Sequence, residues 1–241
     1  MSYFESRLRI KIHDFQDIKD KIKLCAALGI KNVILESIEN EDIIPSNLRK
    51  KIEELTKINI FYRLNIKEEN LAGFKKKIKI IGNSTDILSV ESINKDVQIN
   101  SARDTRVDVI SFSNQSSLKT LTPGIISLSK QNNSFIEVSL APLLVGNRTI
   151  QSRNFRTLFR FLELIRNQHA NYIISGNIIN ISDLRSPRGL ISVCNTLLGI
   201  PFGEAKNAFK KNPLLLLRRV NNRNERNIIK AGVRIVNKED S

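Results

Sequence analysis

This 241-residue chain has no tryptophan, one methionine, two cysteines and two histidines, and its acids fall short of its bases, 24 against 39. Each shortage removes a class of function. Cys25 and Cys194 lie far apart, each inside a helical apolar pattern (KLCAALG and ISVCNTLLG), with no CxxC and no histidine beside them. They read as buried thiols in a reducing compartment, and no metal is assigned to them. His13 follows the first strand pattern and His169 ends the longest helical one, so nothing in the spacing brings them together. A serine nucleophile therefore lacks its base, and a hydrolytic metal centre lacks its ligands. A Walker loop and a GxGxxG are both missing. The uncharged apolar runs are far shorter than a bilayer span and MSYFESRLRI has no signal-peptide core, so a soluble, cytoplasmic protein is expected.

What is present is a recurring unit. NVILES (32–37), DILSVES (86–92), DVISFS (108–113) and NYIISG (171–176) each open on Asp or Asn and run through β-branched residues. INIFYRLNI from Ile58, SFIEVSL from Ser134 and SRLRIKI from Ser6 bring the strand candidates to seven. Helical patterns alternate with them, among them DIKDKIKLCAALG, PSNLRKKIEELTK, NLAGFKKKIKIIGN, INKDVQINSARD, PGIISLSKQNN and TIQSRNFRTLFRFLELIRNQHA. Alternation of this kind favours a parallel α/β sheet buried on both faces. The even spacing, without a Pro-, Gly- or Ser-rich linker, suits a (β/α) TIM-like barrel, with an open doubly wound sheet as the competitor and no certain eighth strand. Three further helical patterns follow Gly176, so one barrel domain with extra C-terminal helices is expected over 1–220, and a basic polar tail, frayed, over 221–241.

At the carboxyl ends of these strands, where a barrel enzyme works, stand Glu36, Ser37, Asn65, Glu91, Ser92, Ser111, Ser113, Ser139 and Ser175. They contain no base paired with a nucleophile. Glu36 and Glu91 facing each other as an acid/base pair are the one catalytic alternative, against ordinary hydrogen-bonded strand ends. At the opposite ends, SARDTRVDVISF sets Arg103, Asp104 and Arg106 before a strand that carries Asp108 inside it. An ion within a buried strand needs a partner. Arg103 or Arg106 paired with Asp104 or Asp108 is expected to staple helix to strand.

The net charge of +15 is uneven. Residues 1–120 hold 21 bases and 17 acids, whereas residues 121–241 hold 18 and 7. Such a surplus calls for a polyanionic partner, with nucleic acid first. On the helix from Thr149, Phe155, Leu158, Phe159, Leu162 and Ile165 form an apolar stripe, while Arg153, Arg156 and Arg160 lie opposite, either merely solvated or in contact with phosphates. In LRSPRGL, Ser186 can cap the helix that Pro187 opens, with Arg185 and Arg188 flanking its positive end. Arg148, Lys210, Lys211, Arg218 and Arg219 extend the candidate RNA-binding set. Aromatics make up only 6 % of the chain, so contact with the backbone of a folded RNA fits better than stacking on single-stranded bases.

DILSVES, then SARDTRVDVISF, then a strand ending in SG followed by LRSPRGL is an order that resembles the thirty-kilodalton protein subunit family of archaeal and eukaryotic ribonuclease P, ribonuclease P protein component 3. Arg103, Asp104, Arg106 and Asp108 with Arg185, Pro187 and Arg188 carry the resemblance. It implies a barrel like that of polymerase-and-histidinol-phosphatase-type phosphoesterases, serving a ribonucleoprotein endoribonuclease that removes the 5′ leader of precursor tRNA. It further implies that the RNA subunit supplies the active site with magnesium, that this chain binds no cofactor and no metal itself, and that its partners are ribonuclease P RNA, precursor tRNA indirectly, protein component 2 and the particle's other subunits. A metal-dependent phosphoesterase on the same barrel, or a basic module of another RNA assembly, are the alternatives.

Overall fold

A computed structural model describes residues 2–39 and 43–225 in full and the backbone of 228–230 and 233–234. The chain alternates β1 (Tyr3–Ile10), α1 (Phe15–Ala27), β2 (Ile30–Ser37), α2 (Ser46–Glu54), β3 (Asn59–Lys67), α3 (Leu71–Ile81), β4 (Ile87–Glu91), α4 (Lys95–Arg103) and β5 (Val109–Phe112). It continues with the short α5 (Gln115–Leu118), α6 (Pro123–Gln131), β6 (Phe135–Ser139), α7 (Arg148–Asn167), β7 (Tyr172–Ser175), α8 (Pro187–Thr196), α9 (Phe202–Ala208) and α10 (Lys211–Asn224). A small antiparallel pair, β8 (Ile228–Lys230) and β9 (Val233–Arg234), follows. Helix starts are encoded locally: the side chains of Asp14, Asn70, Asn94, Thr122, Asn147 and Ser186 each accept from a backbone N–H in the first turn.

The seven main strands pair in sequence order, all parallel. This is the TIM-like barrel, one strand short of eight among the described residues. Closure falls to the chain after β7. Ile178 donates to the Arg7 carbonyl at 3.0 Å and accepts from Arg9 N at 2.8 Å, making a parallel bridge with Leu8. Below it, where β1 bulges between Glu5 and Leu8, the Glu5 carboxyl accepts from Arg7 N and Gly176 N, each at 3.0 Å. The chain comes close at Gly176, where an added Cβ would stand 2.6 Å from Ile178 Cδ1 and 3.0 Å from Glu5 Oε2, so any larger residue would push these side chains aside.

Outside the barrel, apolar side chains pack between sheet and helices in two clusters. Phe112 and Phe161 meet edge to face at 4.9 Å between ring centres in the larger one. On α7 the buried positions are Asn154, Leu158, Phe161, Leu162 and Ile165. Phe159, expected in this stripe, is 43 % exposed instead. At 100° per residue Phe161 falls three and four residues from Leu158 and Ile165, whereas Phe159 sits on the shoulder of the helix.

A third apolar cluster fills the amino end of the barrel: Ile34, Ile87, Val109, Phe135 and Ile173 point inward against Leu216 and Val220 of α10. This helix is a plug. Arg219 donates to the carbonyls of Thr105, Val107 and Asn132, Arg223 to those of Asp86 and Arg106, and Asn212 to that of Tyr172. The expected boundary at 220 thus falls inside α10, and most of the expected tail lies outside the described residues.

Candidate nucleic-acid interface

The barrel interior above the plug is ionic. Alternation along β1 and β3 turns Arg7 and Arg63 inward, and along β2, β4 and β6 it turns in Glu36, Glu91 and Glu137. Arg7 grips Glu36 through Nε and Nη2, both at 2.8 Å, reaches Glu91 at 2.8 Å and stands 3.7 Å from Glu137. Arg63 bonds Glu137 at 2.6 Å, Ser89 at 2.8 Å and Ser111 at 2.6 Å, and lies 3.1 Å from Glu36. Arg9 stands 3.4 Å from Glu36, and Ser113 donates to Glu91. Three guanidinium groups thus meet three carboxylates.

Burial alone would raise Glu137, but Arg63 and Arg7 outweigh it and hold its carboxyl down to about 2. Burial also opposes ionisation of Glu91, yet Arg7 and the Ser113 hydroxyl leave it below the ordinary carboxylate range. Glu36 and Glu91 therefore share one guanidinium, which leaves neither as a free base, and the acid/base alternative loses its geometry. Glu5 behaves differently. Burial pushes it up to about 7 despite its two backbone donors, and nearby Glu137 adds to the rise. The sequence reading missed Arg7, Arg63 and Glu137. Their signal is a charge set beside apolar residues in a strand run, Arg7 in RLRI, Glu36 in VILES, Arg63 in YRLN, Glu91 in LSVES and Glu137 in FIEVS, with opposite signs on neighbouring strands from β1 to β4.

Of the four residues of the expected staple, Arg106 and Asp104 do pair, at 2.7 Å, and Arg106 adds a bond to the Ile78 carbonyl. Asp108 is the correction. It is fully buried, accepts from Leu88 N at 2.9 Å and pairs at 3.2 Å with Arg219 and Arg223, while Arg103 is exposed. The charge immediately ahead of β5 therefore holds the plug helix, because α10 crosses directly below the amino ends of β4 and β5. Arg219, expected among the RNA contacts, has its guanidinium occupied there. Lys210 lies over the Tyr3 ring at 4.0 Å.

The other candidates face outward. Arg148, Arg153, Arg156 and Arg160 line the exposed side of α7, and among the described residues none has a carboxylate within ion-pair distance. Ser186 Oγ caps α8 by accepting from Gly189 N at 3.2 Å, and Pro187 takes the first turn, as the sequence indicates. Arg188 is exposed in that turn, and Arg185 folds back to donate to the carbonyls of Ser182 and Leu184. The starts of α7 and α8 border one cleft, with Arg185 among its lining residues. Lys211 and Arg218 are exposed on α10, at the plugged end. Such a surface can hold phosphates by charge and by forked hydrogen bonds. Cys25 and Cys194 are buried thiols that burial pushes up to about 12. Among the described residues no group of three or more His, Cys, Asp or Glu is placed to hold a metal ion, and no helix is long and apolar enough to cross a membrane.

A family profile described as RNase P subunit p30 matches residues 6–225. A search of curated proteins finds no match. Among solved structures, a chain from the cryo-EM structure of archaeal Ribonuclease P with mature tRNA superposes with a TM-score of 0.79 at 18 % identity, over 99 % of this chain and 100 % of its own. A putative prolidase from Bifidobacterium longum follows at 0.64 and 10 %, over 91 % and 70 %. An uncharacterized protein gives 0.56 and 9 %, over 97 % and 77 %.

Proposed function

This chain belongs to the RNase P subunit p30 family and so is a protein subunit of ribonuclease P in tRNA processing, and on that premise we propose that it braces the catalytic RNA through its arginine-bearing face without itself breaking a bond. One observation carries the reading. Glu36, Glu91 and Glu137 of the barrel are matched by buried arginines, whereas Arg148, Arg153, Arg156 and Arg160 of α7 stand in solvent with no acid at ion-pair distance among the described residues; Arg166, nearer the end of that helix, pairs with Glu204. A barrel with its interior charges satisfied and its exterior charges unsatisfied is suited to hold a polyanion.

In this reading the particle's RNA supplies the reacting groups with magnesium, and precursor tRNA meets this chain only indirectly. The fold supports the division of labour: a plug at one end of the barrel and an ion network through its middle make a stiff body. The family resemblance adds protein component 2 as the protein partner, together with other subunits of the particle.

Adding the purified chain to the cognate catalytic RNA and partner subunit, then following 5′ leader removal, tests the proposal. Stimulation only when RNA is present is expected. Metal-dependent cleavage by the protein alone would overturn it.

A further inference from the structure

The carboxyl face of the barrel carries a cleft of about 320 Å³ between α7 and α8, within the range in which small groups bind. Its walls are apolar: Leu143 and Leu144 after β6, Phe155 of α7, Ile178 after β7, and Leu190 and Val193 of α8. Gln151, Asp183 and Arg185 stand at its polar margin, and Arg188 is exposed in the adjoining turn of α8. Between the lining residues Gly176 and Ile178, Asn177 is held at a φ of 49°, and its buried Oδ1 has no hydrogen-bond partner.

We infer that this cleft receives a single unstacked nucleobase of the RNA, with the flanking phosphates on Arg185 and Arg188. The inference rests on the RNA-bracing reading above and names where sequence or shape would be read. A base has two apolar faces and a polar edge. The cleft offers a matching pair of surfaces, Phe155 and the leucines for the faces and Gln151 and Asp183 for the edge. An apolar side chain of a protein would fill the same walls but leave the two arginines unmatched, since neither has a carboxylate partner among the described residues. RNA brings a phosphate beside every base. Loops after the last strands of a (β/α) barrel, followed by a short helix, are also a recurrent place for phosphate. The scarcity of aromatics fits one slot better than a stacking tract.

Gly189 lines the cleft, and a Cβ added there meets only Ser186 Oγ, at 3.3 Å. Gly189→Leu therefore obstructs the slot while favouring the helix. Binding of the full chain to ribonuclease P RNA, followed by fluorescence anisotropy across a salt series, compares the wild type with Gly189→Leu, Phe155→Ala and the pair Arg153→Ala, Arg156→Ala. Gly189→Leu and Phe155→Ala are each expected to weaken binding about tenfold with the wild-type salt slope, because every arginine that meets a phosphate is kept. Wild-type affinity in folded Gly189→Leu overturns the slot and leaves the bracing reading standing, whereas an unchanged slope in the arginine pair overturns the bracing reading instead. Should Phe155→Ala fail to fold, ultraviolet crosslinking of the wild-type chain to the same RNA decides: a crosslinked nucleotide on the peptide holding Phe155 or Leu190 supports the slot, and crosslinks confined elsewhere overturn it. Loss of the protein partner without loss of RNA affinity in Gly189→Leu also overturns it, in favour of a protein side chain.

Discussion

Arg7 holds Glu36 through two hydrogen bonds of 2.8 Å at the centre of the barrel, with both side chains almost wholly buried. The pair gives the interior its character, since the same guanidinium also reaches Glu91. Two strand ends that would face each other across an open mouth are joined instead.

Arg7→Met is therefore expected to destabilise the fold strongly. It leaves Glu36 and Glu91 without their main counter-charge, and removing one partner of a buried ion pair costs about 3–5 kcal/mol. Urea unfolding measures the loss. A change below about 1 kcal/mol would mean that the network contributes little.

Asp108→Ala is expected to loosen α10, because Asp108 is the carboxylate partner of both Arg219 and Arg223. Arg219→Ala should lower stability by about 1–3 kcal/mol and leave the salt dependence of RNA binding untouched. Hydrogen exchange of the amides in 211–224 locates the effect. An altered salt slope in Arg219→Ala would instead return this residue to the RNA surface.

All seven barrel strands were legible in the sequence because parallel strands buried on both faces write themselves as short β-branched runs. The cap at Ser186 and Pro187 was legible because its chemistry is local. The partner of Asp108 was not, since Arg219 and Arg223 come from a helix far along the chain and only folding brings them below β5. The same holds for Arg7, Arg63 and Glu137: each is a charge within its own strand, and only the closed barrel joins them into a network. Phe159 was misplaced because two phenylalanines lie near the stripe and only packing selects Phe161.

Stability should depend on pH in two directions. The carboxyl of Glu5 is raised to about 7, so the folded chain holds a proton there that the unfolded chain has released, and stability from this group falls as pH rises from about 4.5 to 7. The span corresponds to about 3 kcal/mol. Glu137 is lowered to about 2, so its contribution is present above the unfolded value and is lost as pH falls from about 4.5 toward 2. Glu5→Gln keeps an oxygen for Arg7 N and Gly176 N and is expected to flatten the fall between pH 4.5 and 7. Thermal melts from about pH 4 to about pH 8 test it, and an unchanged profile would show that Glu5 does not titrate in that window.

Arg153→Ala with Arg156→Ala should weaken RNA binding uniformly and reduce the slope of log K against log salt by about one for each phosphate no longer neutralised. Filter binding at several salt concentrations measures it. A slope equal to that of the wild type would remove both residues from the interface.

Leader removal by reconstituted particles, at fixed magnesium and moderate salt, separates the interior from the exterior of this subunit most directly. Particles carrying Glu91→Gln are expected to cleave precursor tRNA as the wild type does once the subunit is folded, and particles carrying Arg153→Ala with Arg156→Ala to need more protein for the same rate. Cleavage abolished by Glu91→Gln in a folded particle, with the arginine pair behaving as wild type, would contradict the view that the outer face works and the barrel only supports it.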